Sequence, residues 1–116
     1  MTQKLARSKE QPVSERKFSN ELSDAQAERL AVLIEELGEA LQAAGKILRH
    51  GYESYNPTVE NGVSNRRALE RELGDVYAAI QMMGTAEDVS EHGVGRRMIE
   101  KKQGIKPWLH HQERRP

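Results

Sequence analysis

The stretch SDAQAERLAVLIEELGEALQAAGKILRH, residues 23–50, decides the fold, because it has the pattern of one long amphipathic helix. Ser23 is followed three residues later by Gln26, which is the pattern of a capping box, and Gly51 suits the position just past a helix end. Apolar side chains recur along the stretch at helical spacing: Leu30, Ile34, Leu37, Leu41, Ala44 and Leu48. We therefore predict a helix from about Ser23 to His50.

Two further helices are predicted downstream. A loop at 51–64 contains Pro57 and an Asn-Gly pair, both typical of turns. A second helix should follow over about residues 65–83, with Gly84 ending it, and a third, weaker helix over about 86–103. No segment alternates like a strand. The sequence thus predicts an all-α fold, a helical bundle of about three to four helices per chain.

The chain divides into one helical domain and two polar ends. With 116 residues, it forms one domain at most. We predict a flexible N-terminal segment at 1–22, with a short helical turn near 14–21, then the helical domain at 23–103. A tail follows at 104–116, where Pro107 should stop any helix. Hydrophobic residues make up only 36% of the chain, so we expect the small core to be completed by oligomerisation, as a homodimer or homotetramer.

Composition excludes several classes of protein. There is no cysteine, and therefore no disulfide or thiolate site. No apolar run could span a membrane, and the N-terminus lacks a signal-peptide core, so a cytoplasmic protein is expected. Residues 21–95 carry 14 acids against 6 bases, whereas residues 96–116 carry 7 bases against 2 acids. An acidic centre argues against duplex nucleic acid as a partner. It suits a bound cation with basic groups nearby, although a solvated acidic surface is the alternative.

Acid pairs three residues apart lie inside the two most apolar segments. On a helical projection Glu36 lies just outside the edge of the apolar arc of the first helix, Glu39 lies further round and Glu35 is the most outward. In the second helix Glu72 falls within the apolar arc and Asp75 at its margin. A carboxylate in such a place must be paired, protonated or bound to a cation. On packed antiparallel helices the two pairs would gather four carboxylates around one space.

All-oxygen ligation of this kind suits Mg²⁺, with Mn²⁺ possible. A di-iron carboxylate bundle would need Glu-x-x-His, which does not occur in the sequence. A simpler explanation of Asp75 is an ion pair with Arg71 four residues earlier. That pairing does not explain Glu72.

The motif Glu35-Glu36-x-x-Glu39 followed by Glu72-x-x-Asp75 resembles the E-E-x-x-E … E-x-x-D signature of the MazG-like, all-α nucleoside triphosphate pyrophosphohydrolases. The resemblance covers about residues 23–103. It implies an oligomeric helical bundle that cleaves a nucleoside or deoxynucleoside triphosphate to the monophosphate and pyrophosphate with Mg²⁺. It also implies four metal ligands, Glu36, Glu39, Glu72 and Asp75, with Glu35 as a supporting ligand or as the group that orients the attacking water. The loop between the motifs is longer than usual in the family.

The triphosphate would need cationic partners. Candidates on the first helix are Lys46 and His50, which continue the face of Glu39, and candidates near the C-terminus are Lys101, Lys102 and Lys106. Each could equally be a solvated side chain. Two other classes of function stay open. One is a non-catalytic helical module that binds nucleotide or protein, and the other is a structural oligomer whose acids pair with arginines across an interface.

Overall fold

Within the described part of this chain, three α-helices and one short 3-10 turn make up the regular structure. The computed structural model describes residue 12 and residues 18–113. The helices are α1 at Asp24–His50, α2 at Asn65–Thr85 and α3 at Glu91–Gly104, and the 3-10 turn is at Lys106–Trp108. No strand occurs within the described residues. The predicted all-α class is confirmed.

Helix α1 has the bounds that its capping signals predict. The Ser23 hydroxyl accepts a hydrogen bond from the backbone N–H of Gln26 at 3.1 Å, and the Gln26 side chain accepts one from the backbone N–H of Ser23 at 2.9 Å. At the other end Gly51 has a φ of 87°, which favours glycine, and its N–H donates to the carbonyl of Ile47 at 2.7 Å. Each end of the helix therefore has a local hydrogen bond that satisfies part of its otherwise unpaired backbone groups.

Helix α2 ends one residue beyond Gly84, where we predicted its end. The chain leaves the helix at Glu87, whose φ is 63°, and the N–H of Asp88 donates to the carbonyl of Met83 at 2.9 Å. Gly84 serves a different purpose, because a Cβ there would lie 2.3 Å from Cγ of Glu91. The glycine thus provides space for the start of the next helix, and the turn after it ends α2.

Helix α3 begins at Glu91, five residues later than the predicted start at 86. Ser90 caps it by accepting a hydrogen bond from the N–H of Gly93 at 3.0 Å, and the preceding residues form the turn. The tail is not wholly irregular as predicted, because Pro107 lies inside the 3-10 turn. Proline is tolerated in the first turn of a helix, where its missing N–H has no partner to lose.

The N-terminal segment can be compared with its prediction only in part. The predicted helical turn near 14–21 falls partly on residues 13–17, which lie outside the described residues. Residues 18–22 are not helical. The remainder of the flexible segment predicted at 1–22 also lies outside the described residues, apart from residue 12.

Helices α1 and α2 form an antiparallel hairpin that positions the acidic residues. At one end the Asn65 side-chain N–H donates to the carbonyl of Gly51 at 3.1 Å. At the other end Arg29 Nη2 donates to Asp88 Oδ1 at 3.0 Å. The two helices pack along their length, and α3 leads away from them with no buried residue.

The described residues bury very little apolar surface. Only Ala43, Ala79 and Met83 are buried, and Ala79, at 2% exposure, is the most enclosed. Most of the apolar stripe predicted along α1 is exposed: Ile34 is 69% exposed, Leu41 75% and Leu48 89%. The smaller face that contains Ala43 packs on α2 instead. None of the described helices is both long enough and apolar enough to cross a bilayer.

Candidate metal centre

Four carboxylates converge where the middle of α1 crosses the first half of α2. Each of Glu36, Glu39, Glu72 and Asp75 offers an oxygen within 4.8 Å of the oxygens offered by the other three. The i, i+3 spacing places each pair on adjacent turns of one helix face. The antiparallel packing then brings the two pairs together. The four residues predicted as metal ligands therefore form one cluster.

Two of these carboxylates turn an oxygen into the helix interface. Oε2 of Glu36 and Oε2 of Glu72 are buried and have no hydrogen-bond partner. Both residues are half-buried, whereas Asp75 is exposed. A buried carboxylate oxygen without a donor is costly, and native structures hold few of them. The arrangement therefore has the form of a site completed by a group that supplies positive charge.

The electrostatics of Glu36 reflect this crowding. Burial raises the pKa of Glu36 above its ordinary value, and the negative charges of Asp75, Glu35 and Glu72 raise it further. The hydrogen bond with Glu39 opposes these effects without overcoming them. Since burial and the neighbouring negative charges disfavour the ionised form of Glu36, the cluster holds its full negative charge only at a cost in free energy.

The pKa of Glu72 is also raised, and the leading cause is different. The hydrogen bond with the Glu39 carboxyl contributes most, followed by burial and by the charges of Glu39 and Asp75. The positive charge of Arg71 acts in the opposite direction and is the smallest effect. A cation among these carboxylates would reverse the balance and favour the ionised forms.

No basic side chain of the described residues forms an ion pair with any of the four acids. The ion pairs within residues 18–113 are Arg29–Asp88, Arg66–Glu53 and Arg97–Glu100. The alternative that paired Arg71 with Asp75 is therefore not observed. Salt bridges among the described residues therefore do not account for the cluster.

Glu35 lies beside the cluster and outside it. Its side chain is exposed, and it is not among the four residues whose oxygens converge. Its charge nevertheless reaches the cluster, because it contributes to the raised pKa of Glu36. From this position a carboxylate can contact water next to the cluster more readily than it can bind an ion inside it.

A groove of about 430 Å³ runs from the cluster to the 51–64 loop, and we call it the main groove. Glu39 and Glu72 line its acidic end, and Lys46 lines its wall on α1. Eight further residues line it: Gln42, Ala43, Asn56, Val59, Gly62, Val63, Asn65 and Ala68. Of the predicted substrate-binding residues, Lys46 thus shares a groove with two of the carboxylates, Glu39 and Glu72.

The other predicted cationic residues are further from the cluster. His50 lines an adjoining groove of about 300 Å³, which also includes Lys46 and Arg49. Lys101 and Lys102 lie in the last turn of α3, and Lys106 opens the 3-10 turn. None of these three lysines lines either groove. Within one chain they are not brought to the carboxylates.

The loop at 51–64 forms a wall of this site that was not predicted from the sequence. Asn56, Val59 and Val63 line the main groove, whereas the sequence predicts only a loop there, longer than usual in the family that the motif resembles. The sequence signal for an ordered turn here is Asn56-Pro57-Thr58, because an asparagine side chain often accepts a hydrogen bond from the backbone N–H two residues later. In the structure Asn56 Oδ1 accepts from the backbone N–H of Thr58 at 2.9 Å.

Comparison with known proteins assigns no family to this chain. No family model matches the sequence, and neither a curated protein nor a solved structure matches it. The geometry of the cluster and the motif that forms it are therefore the features that indicate a function.

Proposed function

We propose that this protein is a divalent-metal-dependent nucleotide pyrophosphohydrolase. It would cleave a nucleoside or deoxynucleoside triphosphate to the monophosphate and pyrophosphate, in the cytoplasm. The observation that carries the proposal is the pair of buried oxygens without partners, one on Glu36 and one on Glu72, inside a cluster of four carboxylates. The motif's resemblance to the MazG-like signature supports the same reading and extends it from metal binding to a reaction.

The residues present fit a hard divalent cation. The four potential ligands, Glu36, Glu39, Glu72 and Asp75, are all carboxylates, and their oxygens are close enough together to share one ion. Oxygen-only ligation favours Mg²⁺ or Mn²⁺ over zinc or iron. When bound, such an ion would neutralise phosphate oxygens and make a nearby water more acidic.

The chain's own residues would position the water and the phosphates. Water adds its oxygen to the α-phosphorus, the bond from that phosphorus to the α–β bridging oxygen breaks, and pyrophosphate leaves with the electron pair. Glu35 is exposed beside the cluster and is suited to orient the water and accept its proton. Lys46 lies in the groove that begins at Glu39 and Glu72, where its ammonium can contact a phosphate oxygen.

We also propose that the active form is a homodimer or homotetramer. The exposed stripe of Ile34, Leu37, Leu41 and Leu48 is a large apolar surface for one small chain. The described residues bury only three hydrophobic side chains, so a second copy on this stripe would supply much of the missing core. In such an assembly His50, Lys101 and Lys102 of one copy could approach the phosphates bound by another.

The second candidate function is a binding module that keeps the fold and the cation but does not turn over substrate. Its support is the same cluster, because four carboxylates bind an ion whether or not a reaction follows. A measurement of substrate turnover distinguishes this binding module from the enzyme. The third class, a structural oligomer with acids paired to arginines of another copy, predicts that Mg²⁺ has no effect on stability.

The test is a panel of canonical, deoxy and modified nucleoside triphosphates with Mg²⁺, scored for pyrophosphate and monophosphate. The wild-type chain should release pyrophosphate, and Glu72→Gln should not. Glu70→Gln is a matched control, because Glu70 is an exposed acid two residues earlier on the same helix. Release of phosphate and diphosphate, or no release across the whole panel, would contradict the proposed reaction.

A further inference from the structure

The main groove is elongated, and the carboxylate cluster occupies only one end of it. Glu39 and Lys46 lie on one wall, seven residues apart on α1, and Glu72 and Asn65 lie on the other, seven residues apart on α2. At 1.5 Å per residue, each wall extends about 10 Å from the acids to the loop. That length is suited to a nucleoside whose phosphate is held at the acidic end.

The chemistry of the lining changes along this length. The acidic end is followed by small apolar side chains, Ala43 and Ala68, one on each helix. The loop end adds Val59 and Val63 with the amides of Asn56 and Asn65. Apolar walls with a few oriented polar groups are typical of sites for planar organic ligands. Lys46 is the single cation among the residues that line the main groove, whereas a site for a further phosphate would show several.

The loop that closes the groove is held in place by hydrogen bonds to the start of α2. The N–H groups of Asn65 and Arg66 donate to the carbonyls of Ser54 and Tyr52, each at 2.8 Å. The Arg66 guanidinium lies 4.4 Å from the centre of the Tyr52 ring and pairs with the Glu53 carboxylate. A wall fixed in this way before the ligand arrives loses little entropy on binding.

The side chains of Asn56 and Asn65 each keep one hydrogen-bonding group for a ligand, a donor on Asn56 and an acceptor on Asn65. Oδ1 of Asn56 accepts hydrogen bonds from the backbone N–H and the hydroxyl of Thr58, at 2.9 and 2.7 Å, so its Nδ2 remains as a donor. Nδ2 of Asn65 donates to Gly51, so its Oδ1 remains as an acceptor. The edge of a nucleobase carries both donors and acceptors.

We propose that the main groove is the nucleoside site of this protein. The base would lie between Val59, Val63 and the helix alanines, and Asn56 would select among bases through its free Nδ2. The inference rests on the proposed function, since the phosphates must be held at the carboxylate cluster. It adds the loop at 51–64 as the element that determines substrate choice.

The experiment compares two competing ligands in the presence of Mg²⁺: a non-hydrolysable nucleoside triphosphate analogue of each common base, and inorganic tripolyphosphate. Tripolyphosphate carries the anionic groups without a base. Asn56→Ser removes the amide donor but keeps a neutral side chain whose oxygen can accept the hydrogen bond from the Thr58 N–H. Val59→Trp places a larger side chain in the groove. Glu60→Gln is the matched control, because Glu60 is an exposed loop residue that does not line the groove.

Asn56→Ser should weaken nucleotide binding roughly three- to tenfold and change the order of preference among bases. Val59→Trp should weaken nucleotide binding by about tenfold or more. Both should leave tripolyphosphate affinity unchanged, and Glu60→Gln should leave the ratio of the two affinities unchanged. Unaltered base preference in both loop variants, or equal losses for both ligands, would overturn the nucleoside site while leaving the proposed reaction intact. If neither ligand binds the wild-type chain, both proposals fail.

Discussion

Glu36 and Glu72 lie on different helices, and each directs its Oε2 into the interface between α1 and α2, where neither oxygen has a hydrogen-bond partner. Their carboxyl groups lie within 4.8 Å of each other and of those of Glu39 and Asp75. The pKa values of Glu36 and Glu72 are both raised, chiefly by burial in the first case and by the Glu39 hydrogen bond in the second. The hairpin is therefore strained electrostatically where its two helices meet, and a cation would relieve that strain.

Divalent metal should stabilise the fold, and Glu72 should be required for the effect. Mg²⁺ or Mn²⁺ should raise the thermal midpoint by several degrees, because an ion that binds only the folded state stabilises it by mass action. Glu72→Gln should abolish that shift and raise the midpoint measured in chelator, since it removes one of the repelling charges. Differential scanning calorimetry measures both, with Glu70→Gln as the control that retains the shift. Identical wild-type curves in chelator and in Mg²⁺ would favour acids paired across an interface.

Turnover should depend on the carboxylates individually. Glu39→Gln and Asp75→Asn each keep the side-chain shape and remove one ligand charge, so each should lower pyrophosphate release by orders of magnitude. Circular dichroism should show unchanged helix content in both variants. Loss of helicity in parallel with activity would mean that the substitution acts on the fold. Full activity in either variant would remove that residue from the ligand set.

Lys46 should act on binding more than on the chemical step. Its position in the main groove allows it to hold a phosphate in the ground and transition states alike. Lys46→Ala should therefore raise KM with a smaller change in kcat. Steady-state kinetics with saturating Mg²⁺ gives both constants. Arg67→Ala is a suitable control, because Arg67 is an exposed cation at the start of α2 that lines neither groove. A decrease confined to kcat would instead show that Lys46 contacts the phosphate only in the transition state.

The exposed stripe on α1 should hold copies of the chain together. Leu41 is 75% exposed, and Leu41→Glu places a charge in the middle of the stripe. Light scattering at micromolar concentration should show an oligomer for the wild-type chain and a smaller species for this variant. Ala25→Glu is the control, because Ala25 is exposed on the opposite side of the same helix. A wild-type monomer that still unfolds cooperatively would contradict the proposed assembly.

The Arg29–Asp88 pair should make stability depend on pH in the acid range. The hydrogen bond from Arg29 lowers the pKa of Asp88, so the folded state prefers the ionised carboxylate. That stabilisation is present above the ordinary pKa of an aspartate and is lost as the pH falls through the lowered value. Asp88→Asn should reduce the thermal midpoint by a few degrees at neutral pH, and the difference from wild type should disappear in acid.

Glu53→Gln provides the comparison for that measurement. The Glu53–Arg66 pair is exposed, so removing it should change the midpoint much less than removing the pair between the start of α1 and the turn after α2. Equal changes in the thermal midpoint for Asp88→Asn and Glu53→Gln would show that the Arg29–Asp88 pair stabilises the fold no more than an exposed ion pair does.

The sequence by itself determined the helices and the acid pairs. Ser23, Gln26 and Gly51 define the ends of α1 because capping bonds form between residues a few positions apart, so the signal is complete within a short window. The i, i+3 spacing on each helix likewise placed each pair of acids on one face without any knowledge of the rest of the chain. The end of α2 was misplaced by a similar local signal, because Gly84 was needed for clearance from Glu91 and not for a cap.

Only the tertiary structure decided which helix face is packed and what surrounds the acids. The leucine stripe on α1 looks like the natural core face, yet the two helices meet through Ala43 and Ala79 and leave Leu41 and Leu48 exposed. Whether Glu39 faces Glu72, and whether Asn56 reaches the same groove, depends on the register of two helices joined by a 14-residue loop at 51–64. Register is set by contacts between residues far apart in sequence. Helical periodicity shows which side chains share one face of a helix, but it does not show which face of another helix packs against them.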